Sequence, residues 1–165
     1  MKKNLELLSH YMESLQENKE YLYKMYEVDK EVMGDNIDIE KFLLYVNVDL
    51  SMYTNMKNSK KVFVLYDGDP YKTFKVVISS IVYGIEKVVL FPNKNYLGLC
   101  SYLVKCFDKV KEEHYNISID LDIGNNYNHY LSHLDLFDKI FYVGDKDSFS
   151  EVINDFNNKI ILIED

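Results

Sequence analysis

The stretch Lys60–Leu90, KKVFVLYDGDPYKTFKVVISSIVYGIEKVVL, constrains the fold of this chain more than any other. Val62–Leu65 is a short apolar, β-branched run, the pattern of a strand buried on both faces. Asp69 and Pro70 then supply an N-cap and a first-turn proline, and Gly68 can take a turn conformation that other residues resist. A helix is expected over Tyr71–Tyr83, burying Phe74, Val77, Ile78 and Ile81, with Gly84 as its stop. Lys87–Phe91 reads as a second strand. Strand, turn, helix and strand in this succession form a βαβ unit, a frame built to hold a ligand or descended from one that did.

The flanking segments extend this frame. Leu5, Leu8, Met12 and Leu15 fall at helical spacing, and Leu22, Met25, Val32 and Met33 resume the stripe after a polar step, so residues 3–33 read as two helices or one broken one. Gly34 to Asn36 ends them, and Asp38 can cap a helix with Ile39, Phe42, Leu43, Val46, Leu50 and Tyr53 on its apolar face. The polar run Asn55–Lys61 is the connection to the first strand. Beyond Lys87–Phe91, Pro92 and Asn93 break the strand, and Asn95 begins a helix with Tyr96, Cys100, Leu103, Phe107 and Val110 on one face. Ile117, Ile119 and Leu121 alternate as a third strand, and Gly124 to Asn126 turn into a short helix. Lys139–Val143 is a fourth strand, followed by Gly144 and Asp145. A helix carrying Phe149, Val152, Ile153 and Phe156 leads to a last strand, Lys159–Ile163. Strands alternating with helices argue for an α/β fold, a mainly parallel five-stranded, Rossmann-like sheet with helices on both faces. The chain is read as one domain, residues 1–165, with a helical N-terminal segment (1–58) and a Rossmann-like part (59–165). In such sheets ligands bind outside the carboxyl ends of the strands.

Charge and composition exclude several functions. With 19 basic and 27 acidic side chains the net charge is −8 and no block is strongly basic, so no nucleic-acid partner is expected. No apolar run approaches the roughly 20 residues of a membrane span, so no membrane is expected either. The N-terminus is broken by Glu6, His10 and Glu13, an amphipathic helix rather than a signal peptide, and a cytoplasmic location is expected. The chain has no Arg, which removes the bidentate guanidinium clamp from any mechanism. Cys100 and Cys106 are six apart on one helix and turn to different faces, so they form neither an intrahelical disulfide nor a CxxC pair and read as buried thiols. His129 and His133 are four apart on a short helix, a spacing that can bind zinc but dictates no third ligand. Asp120 with Asp122, and Asp145 with Asp147, read as solvated loop carboxylates ahead of a divalent-ion site, and no metal is expected. No GxxxxGK[ST] loop occurs, and DGDPY is not a GxGxxG fingerprint.

Four pieces, in order, resemble the N-terminal, cofactor-binding portion of the aldehyde dehydrogenase superfamily, including its glutamyl phosphate reductase branch. LLSHYMESLQENKEYLYKMYEVDKE is similar to the family's opening helices, a hydrophobic stripe, then Glu-Asn, then an Asp about eleven residues on. LYDGDPYKTF stands where the family passes from its first Rossmann strand into a helix through a Pro-containing loop. YGIEKVVLFPNKN is similar to its Gly, two residues, Val-Val-Leu-Lys-Pro-Ser-Glu segment. HLDLFDKIFYVGDK is similar to its His-Pro, Val-Asp, Ile, Phe-Thr-Gly-Ser-Thr segment. The resemblance implies NAD or NADP as cofactor and places its site at Gly68, Pro92, Asn93, Lys94, Gly144 and Asp145.

The departures bear on function as much as the matches do. The family's Lys and Glu that hold the adenosine ribose are Phe91 and Lys94 here, and its pyrophosphate-side Ser is Asp145, a negative charge facing a negative ligand. Phe149 replaces a Gly that allows close approach, and the oxyanion-donating Asn falls on Gly68. The chain ends at KIILIED, close to where the family crosses into its catalytic domain, and the linker is short for the family's assembly strands. The resemblance therefore implies a truncated, non-catalytic relative acting as a binding or interaction module, with no catalytic residues and at most weak nucleotide affinity. A second reading is the cofactor-domain half of a split NAD(P)-dependent aldehyde or acyl-phosphate oxidoreductase completed by another chain. A homo-oligomer or a protein partner is expected to cover the surfaces left open.

Overall fold

The computed structural model describes residues 2–33, 52–67, 70–92, 97–111, 115–122 and 127–164. Its centre is strand β1 (Lys61–Tyr66), flanked by β2 (Lys87–Pro92) and β4 (Lys139–Gly144). β3 (Ser118–Leu121) and β5 (Ile160–Glu164) close a five-stranded sheet of order β3-β2-β1-β4-β5, parallel at every pairing. The expected α/β, Rossmann-like architecture is therefore present. Its order reverses beside β1, because the chain adds β2 and β3 on one side before returning to add β4 and β5 on the other. Crossovers of one hand then lay their helices on opposite faces.

The alternation in β1 separates two cores. Val62 and Val64, with Val88, Leu90, Ile119, Phe141 and Val143, face helices α4 (Pro70–Val82) and α5 (Leu97–Val110). Phe63 and Leu65, with Val89, Ile140, Tyr142 and Ile160, face the layer made by α6 (Tyr127–Ser132), the 3-10 turn Leu134–Leu136 and α7 (Lys146–Val152). Helices α1 (Lys2–Glu17), α2 (Lys19–Met33) and the short α3 (Met52–Met56) lie outside α4 and α5 as a further layer. That explains why α4 is buried almost all round: Phe74, Val76, Val77, Ile78 and Ile81 are fully buried, and so are Thr73, Ser79 and Ser80. Ser80 meets the demand of burial by donating to the Val76 carbonyl at 2.7 Å.

The helical segment breaks at Asn18, whose side chain donates to the Ser14 carbonyl at 2.7 Å while its own carbonyl accepts from Tyr21 N at 2.9 Å. It docks through hydrogen bonds to α5 backbone as well as through apolar contact. Tyr11 donates to the Leu103 carbonyl at 3.0 Å, Ser14 to the Cys106 carbonyl at 3.0 Å, and Tyr102 back to the Leu15 carbonyl. The Asp29 carboxylate, 2% exposed, accepts from the Gly98 and Leu99 amides at 2.9 and 2.7 Å. It satisfies two of the first-turn amides that every helix leaves without intrahelical partners. Burial raises the Asp29 pKa above the usual carboxylate range, against the opposing pull of the amides of Leu99 and Gly98. Gly98 permits this crossing: a Cβ there would lie 2.4 Å from the Met25 carbonyl oxygen.

Several expected boundaries shift. α4 starts at Pro70 and ends at Val82, and Gly84 completes the stop with φ of 70°. α3 runs into the expected connection Asn55–Lys61, and Lys61 already pairs in β1. The helix expected to reach Phe156 stops at Val152, and Asn157 and Asn158 turn the chain at φ of 51° and 59°, a region Asn tolerates better than most residues. The expected helix capped by Asp38 and the turn Gly124–Asn126 lie outside the described residues. Cys100 and Cys106 form no disulfide and are both fully buried, although they turn to different faces, because α5 is enclosed by the sheet on one side and α1 and α2 on the other. No helix among the described residues is long and apolar enough to cross a membrane.

Asp29→Ala strands two buried amides, and its expected cost is about 1–3 kcal/mol, read as a lowered urea midpoint. Asp29→Asn retains the shape but offers one acceptor for two donors, so it is expected to recover only part of that loss.

Candidate functional site

The carboxyl edge of the sheet is where the sequence places the site. Pro92, Tyr66 and Val143 lie in one row across β2, β1 and β4, and Gly144 is one residue further along β4. The fold thus brings Pro92, Gly144 and Asp145 to the same edge, on either side of β1. Gly68, Asn93 and Lys94 lie outside the described residues. At the point where the strand order reverses, the Asp67 amide donates to the Val143 carbonyl at 2.9 Å, adding a rung beyond the end of β1.

Three side chains determine what this edge can hold. The first is Phe91, on the face of β2 away from α4 and α5. Its ring lies 5.9 Å from Phe63, 6.2 Å from Tyr127 and 5.6 Å from Tyr130, centroid to centroid, so it belongs to an aromatic core. The position that resembles a ribose-holding Lys is filled by a packing residue. The second is Tyr142, whose ring lies over Gly144: a Cβ on Gly144 would be 2.7 Å from Tyr142 Cε1. Phe149 packs on the other side of Tyr142, with centroids 5.8 Å apart. The glycine here makes room for the protein's own ring.

The third is Asp145. It is the N-cap of α7, accepting from Ser148 N at 2.8 Å on one oxygen and from Ser148 Oγ at 2.8 Å on the other. These bonds to Ser148 hold its carboxyl below the usual carboxylate range. A carboxylate therefore already complements the amide end of α7, where a phosphate would need that amide for itself.

The other candidate groups are committed separately. Asp120 faces Lys87 at 3.8 Å, whereas Asp122 accepts from the Tyr130 hydroxyl, so this acidic pair is drawn to different partners. Asp147 sits in the first turn of α7. The His129 and His133 rings stack with centroids 4.4 Å apart, and His133 Nδ1 donates to the His129 carbonyl at 2.8 Å. Among the described residues no three His, Cys, Asp or Glu side chains gather as a metal site. A polar groove of about 530 Å³, lined by His10, Glu13, Ser14, Asn18 and Lys109 among others, lies between α1 and the end of α5. Because α5 runs back from the carboxyl edge, this groove is at the opposite end of the sheet.

Sequence reasoning missed the two tyrosines that clip α6 to its neighbours. Tyr130 donates to Asp122, and Tyr127 donates to Asp155 at 3.2 Å. Desolvation and then Asp155 push the Tyr127 hydroxyl up to about 12. It also missed Asp138, which accepts from the Lys60 and Lys61 amides at 2.7 and 2.9 Å and ties the start of β4 to β1. None of these pairings has a fixed spacing from which it could be read.

Comparison with known proteins supports the fold-level resemblance. No protein-family model matches the chain, and no curated protein matches it by sequence. Among solved structures, gamma-glutamyl phosphate reductase of Saccharomyces cerevisiae superposes with a TM-score of 0.68 at 11% identity, over 96% of this chain and 50% of that one. AldH of Staphylococcus aureus, in a substrate-bound state, gives 0.65 at 11% identity, over 99% and 41%. An aldehyde dehydrogenase from Bartonella henselae gives 0.63 at 14% identity, over 98% and 40%. The fold resembles theirs, and the chain spans half or less of their length.

The Asp145 cap makes a pH-dependent prediction. A depressed carboxyl pKa adds stability above the unfolded value, about 3.9, and that stability is lost as pH falls through the native value. Asp145→Ala is expected to lower the melting temperature at neutral pH, with the difference from the parent shrinking as the pH is taken below the carboxylate range.

Proposed function

We propose that this chain is a non-catalytic binding module, built on the frame of an aldehyde dehydrogenase-like cofactor domain whose nucleotide site has been converted into structure. The observation that carries this reading is the β4–α7 corner. Tyr142 fills the space over Gly144, and Asp145 presents a carboxylate to the helix end that a phosphate would need. Phe91, absorbed into the aromatic core, supports the same conclusion from the neighbouring strand. A cofactor approaching this edge would meet an aromatic ring and like charge rather than open space and free amide donors. The strand and helix frame persists because its residues are held by the core, independently of any ligand. What remains to the surface is interaction with another macromolecule.

The test is thermal denaturation with millimolar NAD, NADP, ATP or AMP, since a ligand bound to the native state alone must raise the melting temperature. No shift is expected for the parent chain. None is expected for Asp145→Ser either, which removes the charge but leaves the Tyr142 ring in place. A saturable rise with NAD or NADP in the parent chain would sink this reading in favour of a cofactor-binding half of a split oxidoreductase.

A further inference from the structure

The two faces of the sheet are finished differently. Helices α4 and α5 are enclosed by α1, α2 and α3, and most of their apolar side chains are fully buried. On the other face no residue of α6, of the 3-10 turn Leu134–Leu136 or of α7 is buried. Leu131, Leu134, Phe137, Phe149, Val152 and Ile153 pack on the core there yet are only half-buried, and Leu136 is 45% exposed. A layer whose apolar side chains keep this much contact with water leaves surface that another body can cover.

Charge decides what that body is, because the net charge of −8 is not spread evenly along the chain. From Ser118, the start of β3, to the C-terminus there are ten acidic side chains against three lysines, whereas seventeen acidic face sixteen basic ones before it. Nearly all of the excess falls in the part of the chain that builds this layer. Some of these carboxylates are committed within the fold: Asp138 to amides, Asp122 and Asp155 to tyrosines, Asp145 to its cap and Asp120 to Lys87. The carboxylates of Asp135, Asp147 and Glu151 are exposed and make no hydrogen bond or ion pair. Asp147 and Glu151 are four apart on α7, so they share its outer side, opposite Phe149, Val152 and Ile153. Like charges at that spacing destabilise a helix.

We propose that the α6–α7 face is the docking surface for a basic protein partner, whose lysines and arginines meet Asp135, Asp147 and Glu151 while its apolar side chains cover Leu136. A second copy of this chain does not fit. The same face of the copy carries like charge, and the rest of the copy is close to neutral. Nucleic acid and an anionic bilayer are repelled for the same reason. A partner of opposite charge is instead steered toward this face, and the apolar contact beside Asp135 then holds it there.

This inference rests on the reading of the chain as an interaction module, but it is measured by peptide binding rather than by nucleotide response, so either can fail alone. The probe is an amphipathic peptide of lysine and leucine, titrated into the isotopically labelled full chain, with the equivalent glutamate–leucine peptide as control. Saturable binding of the lysine peptide is expected, with amide shifts concentrated in residues 127–153, and no binding of the glutamate peptide. Asp135→Lys and Glu151→Lys are each expected to weaken binding about tenfold and to flatten its salt dependence. Glu6→Lys and Glu31→Lys, exposed on α1 and α2, are expected to leave it within about twofold, because they change the net charge equally but not this face. Leu136→Ser is expected to weaken binding with its salt dependence unaltered, a result that charge alone does not produce. Circular dichroism establishes that each variant is folded. Absence of saturable binding, shifts centred on α1 and α2, or equal losses in all four charge variants overturns the proposal. So does dimerisation of the chain through residues 127–153, which would make a second copy the occupant.

Discussion

The arrangement of the whole chain depends on one buried carboxylate. Asp29 reaches from α2 to the first turn of α5 and accepts from two amides there. A charge so placed is stable only because both its oxygens have donors, and the donors are satisfied only because the carboxylate is there. The consequence is positional. α5 is the crossover between β2 and β3, so anchoring its start anchors the helical segment to the sheet. Gly98 lets the α2 backbone pass directly over that start. Tyr11, Ser14 and Tyr102 repeat the device further along α5, each hydroxyl meeting a carbonyl. Apolar contact alone would hold α1 and α2 against α5 without fixing where along it they sit.

With the helices so locked, the opposite face of the sheet can carry its own core, rich in aromatic rings. Phe63 touches Phe91, Tyr130, Phe137 and Phe156, with centroids between 4.6 and 6.4 Å. Tyr142 and Phe149 continue this layer to the end of β4. A site that admits a ligand needs small residues and unfilled space at the strand ends. Here large rings stand at and near the ends of β2 and β4, and their burial stabilises the sheet.

Much of this was legible from the residues alone. Among the described residues the expected strands lie within one residue of the observed ones, because β-branched and aromatic runs bounded by Gly, Pro and Asn have few alternatives. The faces of α4 and α5 were read correctly for the same reason: Phe74, Val77, Ile78 and Ile81, or Cys100, Leu103 and Phe107, can share a buried stripe only at helical spacing. Pro92 and Gly144 are expected at one edge of the sheet, and they lie along it on either side of β1. The length of α7 was misjudged, since Phe156 is buried from a turn rather than from the helix. Periodicity cannot distinguish these, because burial of one ring fixes a contact and not a backbone conformation.

The sequence by itself determined the order of strands and helices, the parallel sheet and the charges at its carboxyl edge, because these follow from local pattern, from one-handed crossovers and from residue identity. Only the tertiary structure decided that Asp29 caps a helix start 69 residues away, that Tyr142 lies over Gly144, and that Phe91 joins a core instead of a cleft. Each depends on which side chains the fold brings together across elements, and such distances are not encoded in the spacing of neighbours along the chain.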